Sequence, residues 1–401
     1  MKSFGRVASA VGIWALGLTI GCGNFFVYPG SSSGTGTTGT GDYVYVANAT
    51  TQNVAAFEVG SGSLTAITGS PFSLGYVPTA AVVNTANSIL FVASSSTISS
   101  YSISSSGALS SLSNPAITGL SNVVSLAVSP DGQWLFALDG TAINTASGQY
   151  GIQVYQFQIN SSTGALAAVN SSSQTYSGTY TIQGPTSPPT PVLSQIAVAS
   201  VTNGEYVFVA MGTGGTLVIP FNTSTGVQSA PTQYGIPGGS SIYLANDGLA
   251  VNSTTGVLYV VSSNTSSLNG TIAAYTIGSN AALTTLATGA TAFQPTAVAL
   301  NHAGTDIYVA NLASNSISGF STTASGSTLP ALTSSPYSFS YAPTGLAVDH
   351  SGDFLLAIAN SGGPDLTMYS YDATTTGKLD EAASTSTGSD PTNPVAIAAT
   401  H

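Results

Sequence analysis

One short apolar phrase recurs seven times along the chain. Each copy places an aromatic residue or a leucine ahead of small and β-branched residues. The copies are Tyr45–Asn48, Phe91–Ser94, Phe136–Asp139, Phe208–Met211, Tyr259–Ser262, Tyr308–Asn311 and Leu356–Asn360. Because these residue types favour the pleated backbone and pack well on it, each copy predicts a buried β-strand.

Three further runs accompany most copies, so each unit predicts four strands with alternating side chains. The alternating runs that follow are Val54–Val59, Ile98–Ile103, Ile152–Ile159, Thr216–Phe221, Thr271–Ile277, Ser316–Phe320 and Leu366–Tyr371. The second short runs are Leu64–Ile67, Leu109–Leu112, Leu166–Val169, Val227–Ala230, Leu283–Leu286, Leu329–Leu332 and Leu379–Ala382. The small apolar runs that precede are 78–83, 124–128, 194–198, 247–251, 295–300 and 343–348.

Four strands in a unit of about 45–50 residues is the pattern of a β-propeller blade. The sequence therefore predicts an all-β, seven-bladed propeller over residues 42–401, with four antiparallel strands per blade. The first unit lacks its innermost strand, and the chain ends on an isolated strand of that kind, Pro394–Ala399. We expect this C-terminal strand to complete the first blade, which would leave no open edge in the ring.

Two polar stretches interrupt the third and fourth units. Residues 140–150 and the Pro-rich segment 170–190 match none of the strand patterns. We interpret both as loops, and loops on a rigid scaffold commonly carry binding residues.

The N-terminus has the features of a lipoprotein signal peptide, predicted over residues 1–21. Lys2 and Arg6 precede an uncharged apolar stretch, Val7–Ile20, that is short for a membrane span. The stretch ends just before Cys22, the single cysteine of the chain, so Cys22 is the predicted lipid attachment site. An ordinary signal peptide with an incidental cysteine is the alternative. Residues 22–41 would form the anchor and a Gly/Ser/Thr-rich tether, which predicts an extracytoplasmic location on the cell envelope, at the outer membrane or cell surface rather than the inner membrane.

Charge is scarce and almost entirely negative. The 401 residues include 3 Lys and Arg against 14 Asp and Glu. Cleavage before Cys22 would remove Lys2 and Arg6, taking the formal net charge from −11 to −13 and leaving Lys378 as the remaining basic residue. Such a chain has no basic surface for nucleic acid, and it can meet a membrane only through the lipid. One cysteine allows no intrachain disulfide.

The histidines and several acids are predicted to be turn residues. His302 and His350 occupy the same repeat position, where the third unit has Ser129-Pro-Asp131-Gly, and a position shared by proline and histidine is typical of a turn. The acids of these turns are Asp131, Asp349 and Asp353. The repeat position that closes the recurring phrase holds Asn48, Asp139, Asn311 and Asn360, for which we also expect turn or cap roles.

No catalytic residues, metal site or cofactor can be assigned from motifs, since the chain lacks a P-loop, a His-Glu-x-x-His helix and a nucleophile elbow. One calcium arrangement is conceivable. Asp139, Glu205 and Asp247 could supply carboxylate ligands if they converged on one face of the ring.

The stretch from Pro295 to Phe320, which contains Pro-Thr-Ala-Val-Ala-Leu-Asn, Ile-Tyr-Val-Ala-Asn and Ser-Ile-Ser-Gly-Phe, resembles the Tyr-Val-Thr-Asn-type propellers. These belong with the seven-bladed lactonase-like family, which includes 6-phosphogluconolactonase-type enzymes. The resemblance covers about residues 42–399 and implies activity on anionic lactones or carboxylates, with arginines and histidines in the central funnel. After cleavage this chain would contain no arginine, and no catalytic residue can be transferred by motif.

Three functions remain open at this point, one of them a structural role as a coat or matrix protein. The sequence favours a binding or surface-interaction module that presents Ser, Thr, Asn and Tyr to a carbohydrate or protein partner. The alternative is a lactone hydrolase, acting on a neutral lactone. The funnel should discriminate between them: titratable side chains with shifted pKa values favour an enzyme, and a lining of Ala, Val and Ser favours a module.

Overall fold

The structure is a computed structural model that describes residues 41–146, 149–169, 176–183, 192–235, 244–264, 267–339, 341–360, 363–389 and 392–401. The predicted signal peptide, the proposed lipid attachment at Cys22 and the tether up to residue 40 lie outside the described residues. Within those residues, no helix has the length and apolar character to span a membrane.

The described residues form 33 strands and one short 3-10 turn, Ser279–Ala281. The first sixteen strands are β1 (Tyr43–Asn48), β2 (Asn53–Gly60), β3 (Ser63–Ala66), β4 (Phe72–Ser73), β5 (Ala80–Val83), β6 (Ile89–Ala93), β7 (Thr97–Ile103), β8 (Leu109–Ser111), β9 (Ile117–Thr118), β10 (Val123–Val128), β11 (Trp134–Asp139), β12 (Ile143–Ala146), β13 (Gln149–Ile159), β14 (Leu166–Ala168), β15 (Tyr176–Gln183) and β16 (Gln195–Val201). The others are β17 (Gly204–Ala210), β18 (Thr216–Asn222), β19 (Val227–Gln228), β20 (Thr232–Tyr234), β21 (Leu244–Asn252), β22 (Val257–Asn264), β23 (Gly270–Ile277), β24 (Leu283–Thr291), β25 (Pro295–Leu300), β26 (Asp306–Asn311), β27 (Ser316–Ser321), β28 (Tyr337–Ser338), β29 (Pro343–Val348), β30 (Phe354–Ala359), β31 (Leu366–Tyr371), β32 (Leu379–Thr385) and β33 (Pro394–Ala399).

These strands pair into seven antiparallel sheets, the blades of a propeller, as the repeats predicted. From the axis outwards the main strand orders of blades 1 to 7 are β33-β1-β2-β3, β5-β6-β7-β8, β10-β11-β13-β12, β16-β17-β18-β19, β21-β22-β23-β24, β25-β26-β27-β28 and β29-β30-β31-β32. The innermost strands contact one another in sequence, from β5 through β10, β16, β21, β25 and β29 to β33, and β33 contacts β5. The ring is therefore closed.

Closure occurs as the two ends of the chain predicted. Strand β33 pairs antiparallel with β1, with Val44 opposite Ala399 and Val46 opposite Ile397. Beyond the strand, the Tyr43 N–H donates to the Thr400 hydroxyl, and the Thr400 N–H donates to the Tyr43 carbonyl, both at 2.9 Å. The N-terminal and C-terminal ends of the propeller thus form one sheet.

The aromatic residues of the recurring phrase fill the space between blades. Tyr45, Phe91, Phe136, Phe208, Tyr259 and Tyr308 are among the largest fully buried side chains. The hydroxyl of a buried phenol usually finds a hydrogen-bond partner. Tyr45 donates to the Gly107 carbonyl of the next blade at 3.0 Å, and Tyr308 donates to the Gly377 carbonyl at 2.7 Å. All six rings pack between blades, and Tyr45 and Tyr308 also bond one blade to the next through their hydroxyls.

Two local predictions are wrong. Residues 140–150 and 170–190 are not simple loops, because β12 and β15 both pair with the long strand β13, and their Thr and Tyr residues suit extended backbone. Residues 170–175 and 184–190 lie outside the described residues. In blade 6, the predicted outer run Leu329–Leu332 does lie against β27, bonded through the Pro330 carbonyl and the Leu332 N–H, both at 2.9 Å. It forms only a bridge, because Pro330 has no N–H for a continuous ladder, and the outer strand proper is Tyr337–Ser338.

The propeller has two unlike ends. We call the end at which the innermost strands begin the top face, and it also carries the turns between second and third strands. The opposite end, the bottom face, carries the turns between first and second strands and between third and fourth strands. All blades run in the same sense, so a residue's place along its strand determines its face.

Candidate functional site on the top face

Each innermost strand begins with an irregular residue at the top face. In five blades this residue is a β-bulge, an extra residue that the partner strand leaves unopposed. In blades 2 and 4 the equivalent residue directly precedes the strand and donates its N–H to the end of the second strand, from Thr79 to Ala93 and from Ser194 to Ala210. Bulges redirect side chains and are frequent beside active sites.

These seven residues form a ring around the propeller axis, which we call the axial ring. Its members are Thr79, Val124, Ser194, Asp247, Thr296, Thr344 and Val395. Six are neutral hydroxyl or apolar residues, and Asp247 is the one acid. A charged residue at a position that is otherwise neutral is the strongest departure from the repeat at this level of the ring.

Asp247 lies on β21 and is held by the neighbouring strand of its own blade. The Ser263 hydroxyl donates to the Asp247 carboxylate at 2.5 Å. Burial raises the pKa of Asp247 to about 7, although the hydrogen bonds from the Ser263 side chain and backbone oppose the shift. The side chain nonetheless remains partly accessible to solvent. A carboxyl with this pKa is a base for part of its time at neutral pH, which is what general base catalysis requires.

Gln195 of blade 4 places an amide beside Asp247. Its Oε1 accepts the Leu249 N–H at 2.8 Å, which determines the orientation of the amide and directs Nε2 away from that bond. Gln195 is buried, and because the structure shows no hydrogen bond from its Nε2 to another described residue, this N–H is the candidate donor beside Asp247. Gly248 keeps this arrangement open, because a Cβ there would lie 3.2 Å from Gln195 Oε1 and 3.3 Å from the Thr296 carbonyl.

The hydroxyls of the axial ring are weakly engaged. Thr79 and Ser194 donate to backbone carbonyls at 3.4 Å, Thr296 at 3.3 Å and Thr344 at 3.5 Å. Hydroxyl hydrogen bonds are normally 2.5–3.0 Å long, about half an ångström shorter. The long distances indicate weak hydrogen bonds for the three threonines; Thr79 is half-buried, whereas Thr296 and Thr344 are buried.

The bottom face contains the predicted turn residues. His302 and His350 lie in the turns after β25 and β29, as their shared repeat position predicted. Asp131 Oδ1 accepts the Gln133 N–H at 3.1 Å, and Asp349 Oδ1 accepts the Phe354 N–H at 2.8 Å. These two acids close their own turns, which is a structural role. Asp353 is exposed at the end of the same turn as Asp349.

The residues that close the recurring phrase also bond locally. Asp139 Oδ1 accepts the Thr141 N–H at 2.8 Å, and Asn311 Nδ2 donates to the Ser316 carbonyl at 3.2 Å. Asn48 connects blades 1 and 7, since its Oδ1 accepts the Thr387 hydroxyl at 3.0 Å. Asn360 lies directly after β30. The predicted turn and cap roles hold for the first three residues.

A carboxyl pair joins blades 7 and 1 at the bottom. Asp42 accepts the backbone N–H groups of His350 and Ser351 at 3.1 and 3.3 Å. Burial and the adjacent Asp349 carboxyl raise the pKa of Asp42 to about 7. Close by, burial lowers the pKa of the terminal His401 to about 4. This cluster is placed to hold the ring closed, since it bridges the first and last blades.

A bottom-face cavity of about 460 Å³ lies between blades 6 and 7 and is lined in part by His302, Asp306, Tyr371 and Asp372. Asp372 pairs with Lys378 at 2.9 Å, and that pair holds the pKa of Asp372 well below its usual range. The Tyr371 hydroxyl is buried and has no hydrogen-bond partner among the described residues. The cavity therefore brings carboxyl groups near a buried phenol hydroxyl that has no hydrogen-bond partner among the described residues.

The calcium arrangement is wrong. Asp139 ends β11 and Asp247 lies near the start of β21, so both are at the top, whereas Glu205 lies near the start of the second strand β17 and is at the bottom. Glu205 instead accepts the Thr223 N–H and hydroxyl, both at 2.7 Å. Across the described ranges, no group of three or more His, Cys, Asp or Glu could hold a metal ion.

Comparison with protein families identifies the relationship. Residues 195–331 and 283–396 match the family model described as Lactonase, 7-bladed beta-propeller, and together the matches span residues 195–396, which is 202 of 401 residues. No curated protein matches the sequence.

Several solved structures share the fold. The periplasmic gluconolactonase of Pseudomonas aeruginosa has a TM-score of 0.66 at 17% identity, covering 90% of this chain and 99% of its own. A Lactobacillus plantarum protein has a TM-score of 0.65 at 17% identity, with coverages of 90% and 100%. A Bacteroides uniformis protein provisionally described as a 6-phosphogluconolactonase has a TM-score of 0.64 at 15% identity, with coverages of 90% and 99%. At these identities the similarity establishes the fold.

Proposed function

Because the chain belongs to the seven-bladed lactonase propeller family, we propose that it is a lactone hydrolase that acts on a neutral lactone at the axial ring. The observation that carries this proposal is Asp247, the one acid of the ring, whose pKa is raised to about 7 by burial. Asp42 has a similarly raised pKa at the seam between blades 7 and 1, so the pKa alone does not identify a base, and Asp247 differs by its place in the axial ring. The lactonase is therefore preferred to the surface-interaction module.

The proposed reaction needs one base and one donor. The Asp247 carboxylate takes a proton from a water molecule as the water oxygen attacks the lactone carbonyl carbon. The carbonyl oxygen gains negative charge, which the Gln195 Nε2–H stabilises by a hydrogen bond. The tetrahedral intermediate then breaks its bond to the ring oxygen, and this alkoxide receives the proton from Asp247. One lactone and one water give one hydroxy acid, and the base is regenerated.

The preference for a neutral substrate comes from charge. Among the described residues the one lysine, Lys378, lies on the bottom face, and no arginine is present. A phosphate or carboxylate on the substrate would meet no cation at the axial ring, and Asp247 would repel it. Hydroxyl groups on a lactone would instead meet the Thr and Ser hydroxyls of the ring. A neutral sugar lactone fits these donors and acceptors.

Replacement of the proposed base tests the proposal. We expect Asp247→Asn to lower kcat/KM for neutral lactones by about 10²–10⁴-fold, the usual contribution of a general base. The matched control is Asp139→Asn, since Asp139 is also a buried top-face acid whose pKa is raised by burial but lies outside the ring. Equal losses in both variants, or full activity in Asp247→Asn, would remove Asp247 from the reaction.

The pH dependence provides a second measurement. The base form of Asp247 predominates above its pKa of about 7. For wild-type protein, kcat/KM should therefore fall about tenfold per pH unit below that value and level off above it. A profile that is flat from pH 5 to pH 8 would contradict the assignment.

We also propose that the propeller acts outside the cytoplasm, attached through a lipid on Cys22. The support is the apolar segment Val7–Ile20 followed by the single cysteine. The Pseudomonas aeruginosa relative is described as periplasmic. Detergent phase separation and mass spectrometry of the mature N-terminus test this proposal. Cys22→Ser should leave the protein unprocessed or release it from membranes, and an unmodified Cys22 in wild-type protein would contradict it.

A further inference from the structure

Large apolar side chains are exposed mainly on the top face. Seven are exposed among the described residues, and five of them lie on top-face loops or their extensions: Val77, Ile143, Val192, Leu268 and Phe293. The other two, Val227 and Leu286, lie on outer strands of blades 4 and 5. Single exposed apolar residues are ordinary, but a set gathered around one site commonly marks a binding surface.

Two of the five residues are directly connected to the candidate site. Leu268 and Phe293 are 38% and 52% exposed. The Leu268 N–H donates to the Asn264 carbonyl at 2.7 Å, and Asn264 is the residue after Ser263, the hydrogen-bond partner of Asp247. The Gln294 N–H donates to the Leu268 carbonyl at 2.7 Å. The loops that carry Leu268 and Phe293 are thus bonded together beside Asp247.

The backbone at this position is unfavourable without a compensating use. The positive φ of Gln294, +54°, has counterparts at Asn122 and Asn393, which also directly precede innermost strands. Leu268, by contrast, has φ +60°, in the left-handed region that glycine adopts most easily. Leucine is rarely found there, because its Cβ approaches the backbone closely. A strained backbone at an exposed leucine, in a loop bonded to the loop of an exposed phenylalanine, marks this position as a candidate contact for a ligand.

We propose that Leu268 and Phe293, the apolar patch, bind a hydrocarbon substituent of the substrate. The substrate class is then a neutral lactone with a saturated side chain, its ring at Asp247 and its chain across the apolar patch. This inference rests on the proposed function, since it places the lactone head at the axial ring. The absence of a described cation on the top face is consistent with a chain that carries no charge.

A series of γ-lactones with side chains of one to nine carbons tests the substrate class. Each buried methylene contributes about 0.8 kcal/mol, or about fourfold. We expect kcat/KM to rise by up to about fourfold per carbon until the chain extends past the patch. Leu268→Gly and Phe293→Ser should flatten this rise. Leu286→Ser and Val227→Ser, which remove exposed apolar side chains away from the site, should preserve it.

The variants keep the test interpretable. Leu268→Gly relieves the left-handed strain, so its melting temperature should equal or exceed that of wild-type protein while its chain-length preference is lost. If Leu268→Gly has a lower melting temperature than wild-type protein, the chain-length preference of Phe293→Ser tests the patch instead. Equal rates for all chain lengths in wild-type protein would overturn the apolar patch as a substrate site and leave the lactonase proposal intact.

Binding measurements separate the two proposals. If no lactone is hydrolysed, the proposed function fails, and calorimetric titration of the same series into wild-type protein still examines the patch. Affinity that rises with chain length, and is lost in Leu268→Gly, would support the patch on its own. Concentration-dependent dimerisation, or binding to neutral phosphatidylcholine vesicles, that disappears in Phe293→Ser would overturn it, because the occupant would then be a second copy or a lipid surface.

Discussion

The top and bottom faces of this propeller are built from the same seven repeats but carry opposite chemistry. The bottom has the three histidines, Lys378 and most of the described acids, and these groups bond mainly to their own turns or to each other. The top has few acids, a ring of neutral side chains and exposed apolar residues. Most charged side chains therefore lie on the bottom face, and the candidate site lies on the face with few charged side chains.

The comparison indicates which acids are structural. Asp131 and Asp349 accept N–H groups from residues a few positions further along their own turns. An acid that accepts the backbone N–H groups of its own turn stabilises that turn, and the same arrangement can recur in several blades. Asp247 instead bonds to a side chain on the adjacent strand and stands alone in its ring. In a repeat protein, the residue that departs from its repeat position is the better functional candidate.

Removal of the closing strand should have the largest effect, because both faces depend on a closed ring. Deleting residues 391–401 would expose the ladder of β1 and uncover apolar side chains of blades 1, 2 and 7. Each buried hydrogen bond left unmade costs about 1–3 kcal/mol, while a whole domain has about 5–15 kcal/mol of stability. We expect the truncated protein to aggregate or fail to accumulate, as judged by size exclusion and thermal melting.

The matched control for this truncation is a deletion of residues 30–40, which lie before the first strand. It should leave the melting temperature nearly unchanged, since the strands of the described sheets begin at Tyr43. A stable, monomeric fragment ending at residue 390 would show that the ring does not need β33, and the closure argument would fail.

Two buried glutamines allow a catalytic role to be distinguished from a structural one. Gln195 leaves its Nε2 available beside Asp247, whereas Gln156 uses both ends: its Nε2 donates to the Gly226 carbonyl at 2.9 Å and its Oε1 accepts from Gln228 at 2.8 Å. Gln195→Met should lower kcat for lactone hydrolysis by about 10²–10³-fold, the usual effect of losing an oxyanion donor.

Gln156→Met is the complementary variant. It should leave kcat within about twofold and lower the free energy of unfolding by about 1–3 kcal/mol, because it orphans a buried carbonyl. Rates and chemical denaturation measured on both variants decide the matter. If Gln195→Met lost only stability, its amide would be a second structural glutamine and the proposed oxyanion donor would be absent.

Much of the fold could be predicted from the sequence because the same strand pattern recurs in seven units. The seven second strands, the blade count and the closing role of Pro394–Ala399 all follow from patterns that recur. The errors occur where a blade departs from its repeat. In blade 6, Leu329–Leu332 has the apolar pattern of an outer strand but contains Pro330, and in blade 3 polar residues form additional strands on β13.

The candidate site is harder to predict from the sequence, because the repeats align differently by one residue in the sequence and in the structure. The sequence pattern aligns Asp247 with Pro295, since each begins a small apolar run. The structure aligns Asp247 with Thr296, because both are the unopposed residues of a bulge. The first alignment groups Asp247 with prolines that open strands, whereas the second places it among the bulge residues of the axial ring. Gln195 had no signal at all, since its role depends on the Leu249 N–H of the next blade.

One acid on each face should make the free energy of unfolding depend on pH, in the same direction but by different amounts. The raised pKa of Asp247 means that the folded state holds a proton between about pH 4 and pH 7 that the unfolded state releases. Stability is therefore greatest below pH 4 and falls as pH rises through about 7. The shift from 3.8 to about 7 corresponds to about 4 kcal/mol for Asp247. Asp42 is partly exposed, so solvent screening reduces its share to about 1–2 kcal/mol.

Asparagine variants of both acids measure this difference. At pH 8, Asp247→Asn should be more stable than wild-type protein, and Asp42→Asn should be more stable by a smaller amount. At pH 4 both should match wild-type protein, since the carboxyls are then protonated. Urea denaturation at pH 4, 6 and 8 provides the comparison. A wild-type stability that falls on acidification from pH 8 to pH 5 would contradict the sign of both shifts.

Two tyrosines on the bottom face permit the finest comparison. The ring centroids of Tyr308 and Tyr371 are 5.7 Å apart, yet the Tyr308 hydroxyl donates to the Gly377 carbonyl at 2.7 Å and the buried Tyr371 hydroxyl has no partner in the described structure. Tyr308→Phe should therefore destabilise the protein by about 1 kcal/mol, because it removes the shorter of two hydrogen bonds to the Gly377 carbonyl, which also accepts from the Tyr337 hydroxyl at 3.3 Å. Tyr371→Phe should be neutral or stabilise by up to about 1 kcal/mol, because it removes a hydroxyl whose desolvation is uncompensated. Thermal and urea unfolding of the two variants suffices. If Tyr371→Phe were the more damaging change, its hydroxyl would have a partner in solution, and the bottom-face cavity, like the top face, would contain a built polar site.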